Sequence, residues 1–90
     1  MKYKILISES AHKQLNYLQE RERRRIRSDL KELEAYPRKG RARADIKKLH
    51  GVNPELYRLR VGSFRIVYAI VGDEVRVTEI MRRGREYRGY

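Results

Sequence analysis

The 90-residue chain carries 23 Lys plus Arg against 12 Asp plus Glu, a formal net charge of +11, and no cysteine. That length holds one domain and one simple core. The missing thiols exclude disulfides, a thiolate zinc site and a cysteine nucleophile.

About two fifths of the residues are apolar, enough to pack one helical layer on one sheet, so an active site would be a surface groove. His12 and His50 sit singly in polar segments and read as solvated side chains, so no metal site and no cofactor are expected. Ile5, Leu6 and Ile7 are interrupted at once by Ser8, Glu9 and Ser10, and no apolar run approaches a membrane span or a signal-peptide core. A cytoplasmic protein is expected. Sixteen of the 23 cations are arginine, whose planar fork grips phosphate at two points and stacks on bases. A stabilising ion-pair network would need the two signs in balance, so the excess points to a polyanion, and to nucleic acid rather than a membrane surface.

Residues 2–7 read as a strand, with Tyr3, Ile5 and Ile7 alternating against Lys2 and Lys4 while Leu6 covers part of the other face. Ser8 is placed to cap a helix. Ala11, Leu15 and Leu18 fall at i, i+4 and i+7, and Ile26, Leu30 and Leu33 repeat the spacing. Leu18 and Ile26 are eight positions apart, which predicts a helical hairpin or a strongly bent helix, with Pro37 as its stop. The charge run Glu20, Arg21, Glu22, Arg23, Arg24, Arg25 and Arg27 reads as a solvated helix face with some i,i+4 support. Residues 38–45, with Gly40 and two alanines, read as a basic, mobile connection.

From Asp45 the period changes to two, with turn signals at residues 51–54, at Gly62-Ser63 and at Gly72-Asp73. This is an antiparallel meander. The expected fold is one α+β domain over residues 1–90, in which an N-terminal strand and a helical hairpin pack on one face of an antiparallel sheet.

The meander carries the most informative pattern. Tyr57, Leu59 and Val61 point one way, toward the helices, and Arg58 and Arg60 the other. A two-residue turn at Gly62-Ser63, with glycine first as a type II′ turn prefers, pairs Val61 with Phe64 and Arg60 with Arg65. Like charges directly opposite destabilise a ladder. Three guanidinium groups converging on one face, beside Val67, therefore suggest a phosphate site kept at a cost to stability. In the last strand Val75 and Val77 alternate correctly, but Ile80 rather than Glu79 is the next apolar residue. A β-bulge near Glu79 would restore the core pattern and turn Arg83 onto the face of Arg58, Arg60 and Arg65. The tail from Arg82 to Arg88 would then rim one basic groove.

Three stretches together resemble the RelE/ParE toxin superfamily: Leu49-His50-Gly51, the run Leu-Tyr-Arg-Leu-Arg-Val-Gly-Ser-Phe-Arg-Ile-Val-Tyr at 56–68, and the arginine-rich close ending at Tyr87. The resemblance spans nearly the whole chain and is most specific over residues 56–68. It implies a RelE-like fold and the toxin of a type II toxin–antitoxin system, a metal-independent endoribonuclease that enters the ribosomal A site and cuts the codon there. In that reaction a 2′-hydroxyl attacks the adjacent phosphate and leaves a cyclic phosphate. The implied partners are an acidic, RelB-like antitoxin, messenger RNA and the small ribosomal subunit.

Residue by residue, Arg65 matches the family's arginine on the second hairpin strand, Arg83 the arginine four residues before the terminal tyrosine, and Tyr87 that tyrosine. These three are the expected catalytic residues. Arg58 and Arg60 match basic positions and are expected, with Lys47, Lys48 and Arg85, to hold RNA. The chain departs from the family in having Gly62-Ser63 where Gly-Asp is common. It also has arginine at 58 and 60 where some RelE enzymes have lysine, and arginine does not yield its proton to act as a base. Tyr87 is then the expected titratable oxygen on that surface. Two other readings remain open at this point: a ParE-like toxin that poisons DNA gyrase without chemistry, and a non-toxic basic nucleic-acid-binding protein. The Arg-x-x-x-Tyr spacing at 83–87 favours the ribonuclease.

Overall fold

Ser8 leaves the N-terminal strand in extended backbone (φ −63°, ψ 160°), and its Oγ accepts from the Ala11 N–H at 3.0 Å, which starts a helix at Glu9. In the computed structural model, which describes residues 2–39, 45–50 and 54–82, the elements run β1 (Lys4–Ile7), α1 (Glu9–Asn16), α2 (Glu20–Glu32), β2 (Asp45–His50), β3 (Glu55–Val61), β4 (Phe64–Val71) and β5 (Glu74–Arg82).

The helical segment is a hairpin, not a bent helix. The Tyr17 and Leu18 N–H groups turn back to Lys13, Gln14 and Leu15 carbonyls, and the Arg23 guanidinium donates to the Leu18 and Asn16 carbonyls at 3.2 and 3.4 Å, satisfying the open end of α1. The Gln19 N–H donates to Glu22 Oε1 at 3.3 Å and opens α2. Pro37 does not itself end α2. Leu33, Glu34 and Ala35 tighten the last turn with N–H groups reaching three residues back, so the helix stops at Glu32.

The sheet order is β1-β5-β4-β3-β2. The four later strands form the expected antiparallel meander. β1 differs: it joins the far edge in parallel with β5, Ile5 opposite Val75 and Ile7 opposite Val77. Both two-residue turns begin with glycine in the left-handed region, Gly62 at φ +58° and Gly72 at φ +60°, while Ser63 and Asp73 are not at positive φ. That is the type II′ pattern, since type I′ would need positive φ at both central residues.

α1 packs along β5 and α2 along β3. Between the layers lie Ala11, Leu15, Ile26, Leu30 and Leu33 from the helical side and Tyr57, Leu59, Val61, Phe64, Ile66, Tyr68, Val75, Val77 and Ile80 from the sheet. The core holds one polar seam. The Tyr68 hydroxyl donates to the Pro37 carbonyl at 2.6 Å, and its ring stacks on Tyr57 with centroids 5.6 Å apart. Tyr57 in turn donates to Glu55 Oε2 at 2.8 Å. Arg38 closes the seam with two parallel bonds to Glu55, at 3.0 and 2.9 Å, and a third to the Tyr3 hydroxyl at 3.0 Å. The segment after α2 is thereby tied to β3, β4 and the residue preceding β1. The Arg38 and Tyr57 hydrogen bonds lower the Glu55 carboxyl from its ordinary 4.5 to about 2.

Two consequences can be measured. Tyr68→Phe leaves the buried Pro37 carbonyl without its donor and should cost about 1–3 kcal/mol in urea unfolding. Because the folded-state pKa of Glu55 lies below the unfolded one, its contribution to stability is complete above pH 4.5 and is lost as pH falls toward about 2. Unfolding midpoints taken across that window should fall less steeply for Glu55→Gln than for the parent chain.

Candidate nucleic-acid interface

The β3–β4 hairpin has the register that its turn dictates: Val61 opposite Phe64, Arg60 opposite Arg65, Arg58 opposite Val67. Since Tyr57, Leu59, Val61, Phe64 and Ile66 face the helices, Arg58, Arg60 and Arg65 share the open face. Two rows cross the sheet there. Asp45, Arg60, Arg65 and Met81 form one, and Lys47, Arg58, Val67 and Glu79 the other.

Asp45 knits the arginines together. Its Oδ1 lies 3.1 Å from Arg58 Nη1 and its Oδ2 3.8 Å from Arg60 Nη1. The Arg58 side chain is only 8% exposed, whereas that of Arg60 is 43% exposed. Arg58 therefore presents little surface to a ligand. It sits behind the face, meeting Asp45 as an ion pair without hydrogen-bond alignment. Arg60 is the more exposed of the opposed pair, and Arg65 is half-buried with its Nε covered.

The expected irregularity in β5 is present one residue before Glu79. Val77 pairs with Tyr68 and Glu79 with Val67, so Thr78 is the extra residue. α1 holds the bulge: the Ser8 N–H donates to the Val77 carbonyl, Ser8 Oγ to the Thr78 carbonyl at 3.0 Å, and the Ile80 N–H to Gln14 Oε1 at 2.9 Å. Beyond Thr78, Ile80 enters the core and Glu79 and Met81 turn to the side of Arg65. Arg82 is the last described residue. It lies over the Phe64 ring at 4.6 Å and reaches Glu22 on α2 at 3.5 Å. Arg83, Arg85 and Tyr87 lie outside the described residues.

The two expected RNA-binding lysines separate. Lys47 shares a row with Arg58, but Lys48, being its neighbour on a strand, takes the opposite face, where its Nζ lies 5.9 Å from the Tyr57 ring centroid. Two carboxylates were not anticipated on the arginine face. Asp45 ends the stretch that reads in sequence as a mobile connection, and the loop before β3 is too long to fix a register from sequence. Glu79 was marked only as a break in alternation. Both bring titratable oxygens to a surface on which Tyr87 had been the expected one. As an assembly, the face offers guanidinium forks for a phosphate and carboxylates within the same rows to accept protons.

Comparison with known proteins gives one family and several related folds. The family model described as the ParE toxin of the type II toxin–antitoxin system parDE matches residues 5–87. The chain is 30% identical to the toxin in the archaeal RelE–RelB complex from Pyrococcus horikoshii OT3, covering 94% of this chain and 99% of that one with a TM-score of 0.84. It is 26% identical to a chain of the RelB–RelE antitoxin–toxin complex from Methanococcus jannaschii, over 94% and 98% of the two chains, with a TM-score of 0.75. A mutant of E. coli toxin RelE in the free state shares the fold at 21% identity, 97% and 88% coverage and a TM-score of 0.64. No curated protein matches.

Asp45→Asn removes the counter-charge from a buried guanidinium while leaving the strand intact. Because Asp45 itself is 54% exposed, the cost should lie between those of surface and buried pairs, about 1–3 kcal/mol in chemical unfolding at low salt, and should shrink as salt screens the remaining arginines.

Proposed function

The chain belongs to the RelE/ParE family of toxins from type II toxin–antitoxin systems, and from that we propose that it is a ribosome-dependent, metal-independent endoribonuclease that cleaves messenger RNA in the A site. The observation that supports this reading is the row Asp45-Arg60-Arg65, in which opposed arginines are held on an open face at a cost to the sheet. Cleavage forms a bond from a 2′-oxygen to the adjacent phosphorus and breaks the bond to the 5′-oxygen of the next nucleotide. The attacking hydroxyl loses a proton and the leaving oxygen gains one. Arg65 and Arg83 would clamp the phosphate and offset the charge that builds on its non-bridging oxygens. Arg60 would hold the backbone beside them, and Tyr87 would carry a proton, with Asp45 and Glu79 as the competing acceptors. The partner that restrains the protein would be an acidic, RelB-like antitoxin, as both archaeal relatives are toxins in complex with RelB.

A second reading has its own support. The matching family model describes ParE toxins, which fits a gyrase poison with no chemistry of its own. The two readings part on whether messages are cut or supercoiling stops.

If Arg65 and Arg83 act as oxyanion-type clamps, Arg65→Ala and Arg83→Ala should each lose roughly 3–4 kcal/mol of transition-state stabilisation and end both growth arrest and cleavage. In a purified translation system, Tyr87→Phe should cleave slowly while binding the ribosome normally if Tyr87 moves a proton. If Tyr87 only stacks, Phe should be active and Ala inactive. Full activity in both would shift the proton to Asp45 or Glu79, and Asp45→Asn and Glu79→Gln would then identify which.

A further inference from the structure

The β3–β4 turn has arginines on both of its sides. On the open face, Arg60 and Arg65 oppose each other next to the closing Val61–Phe64 pair. On the helix side, Arg21 and Arg25, one turn apart on α2, line a cleft of about 120 Å³ with Gly62 and Ser63, floored by Val61 and Phe64 and shared with Glu22, whose carboxylate pairs with Arg82. The Arg25 guanidinium lies directly over the turn: a Cβ at Gly62 would stand 3.0 Å from its Nη1. Gly62 is favoured by its positive φ, and the guanidinium of the exposed Arg25 rests against it.

The other cations nearby are occupied within the fold. Arg23 caps α1, Arg24 pairs with Glu20 at 3.5 Å, and Arg82 pairs with Glu22 at 3.5 Å. Asp29, one turn beyond Arg25, feels its charge but has its carboxyl raised above the usual range by burial. Arg21 and Arg25 remain exposed. A protein partner of standard kind would need apolar anchors here, yet none of the exposed large apolar side chains among the described residues, Leu6, Tyr17, Tyr36, Leu49 and Val71, lines this turn. A phosphate backbone needs none.

We propose that RNA on the arginine face continues around the β3–β4 turn, with Arg21 and Arg25 taking backbone phosphates beyond those held at Arg60 and Arg65. The proposal rests on the RNA reading above and extends the site along the strand. It predicts a length dependence, because a short RNA fills the open face alone whereas a longer one reaches α2.

The test uses the full chain, with fluorescence anisotropy on single-stranded RNAs of about four and about sixteen nucleotides over a range of salt. The variants are Arg21→Gln with Arg25→Gln, Arg65→Ala, and a charge-matched control, Arg24→Gln with Arg27→Gln. Circular dichroism confirms folding of each. The first variant should leave the short RNA unaffected and weaken the long one, lowering the slope of log K against log salt by about 1.4, for two single-strand phosphate contacts at roughly 0.7 each. Equal losses in the charge-matched control would overturn the proposal, as would equal losses on both RNA lengths. So would an unchanged slope on the long RNA. If Arg65→Ala still weakens RNA binding in those cases, the RNA reading stands and only the extension fails. If Arg65→Ala also binds both RNAs normally, the RNA reading falls with it.

Discussion

A two-residue turn with glycine first leaves its hairpin no choice of register. Gly62 at positive φ closes the Val61–Phe64 pair, and everything outward from that pair follows by alternation. A slip of one residue would carry Tyr57, Leu59 and Val61 out of the core and bury two arginines in their place. The hydrophobic layer between helices and sheet therefore enforces the same register that sets Arg60 against Arg65. The core supplies the stability, and the open face bears the repulsion. Asp45, brought alongside by β2, makes that arrangement tolerable by standing between Arg58 and Arg60.

The β5 bulge extends the same constraint to the other half of the sheet. Without an extra residue at Thr78, Ile80 and Val77 would face opposite ways. With it, both enter the core and Glu79 joins the row of Val67 and Arg58. The bulge is held by the beginning of α1, where Ser8 binds the Val77 and Thr78 region while its oxygen also caps the helix. Helix start, sheet irregularity and the composition of the functional face are thus set by one short stretch of chain.

Much of this was legible from the sequence for specific reasons. Period-two alternation and a Gly-Ser pair define a hairpin locally, so the sharing of one face by Arg58, Arg60 and Arg65 needed no tertiary information. The misplaced hydrophobe at Ile80 likewise exposed the bulge. What escaped was non-local. The parallel pairing of β1 with β5 depends on where the chain returns after two helices. The ion pairs of Asp45 depend on a β2–β3 register that a longer loop does not specify. The burial of Arg58 was out of reach for a related reason, since alternation gives the face a side chain takes but not its depth. The separation of Lys47 from Lys48 follows from alternation alone, since neighbours on a strand take opposite faces.

The proposed activity is chemical: a face of guanidinium groups on a RelE/ParE-family sheet would promote attack of a 2′-hydroxyl on a phosphate held by the ribosome. The most direct measurement is the end chemistry of message recovered from a purified translation system to which the protein has been added. The account predicts breaks inside the codon at the decoding site, with 2′,3′-cyclic phosphate on the upstream fragment and no breaks when ribosomes are left out. Intact message, together with loss of DNA supercoiling in a parallel gyrase reaction, would contradict it.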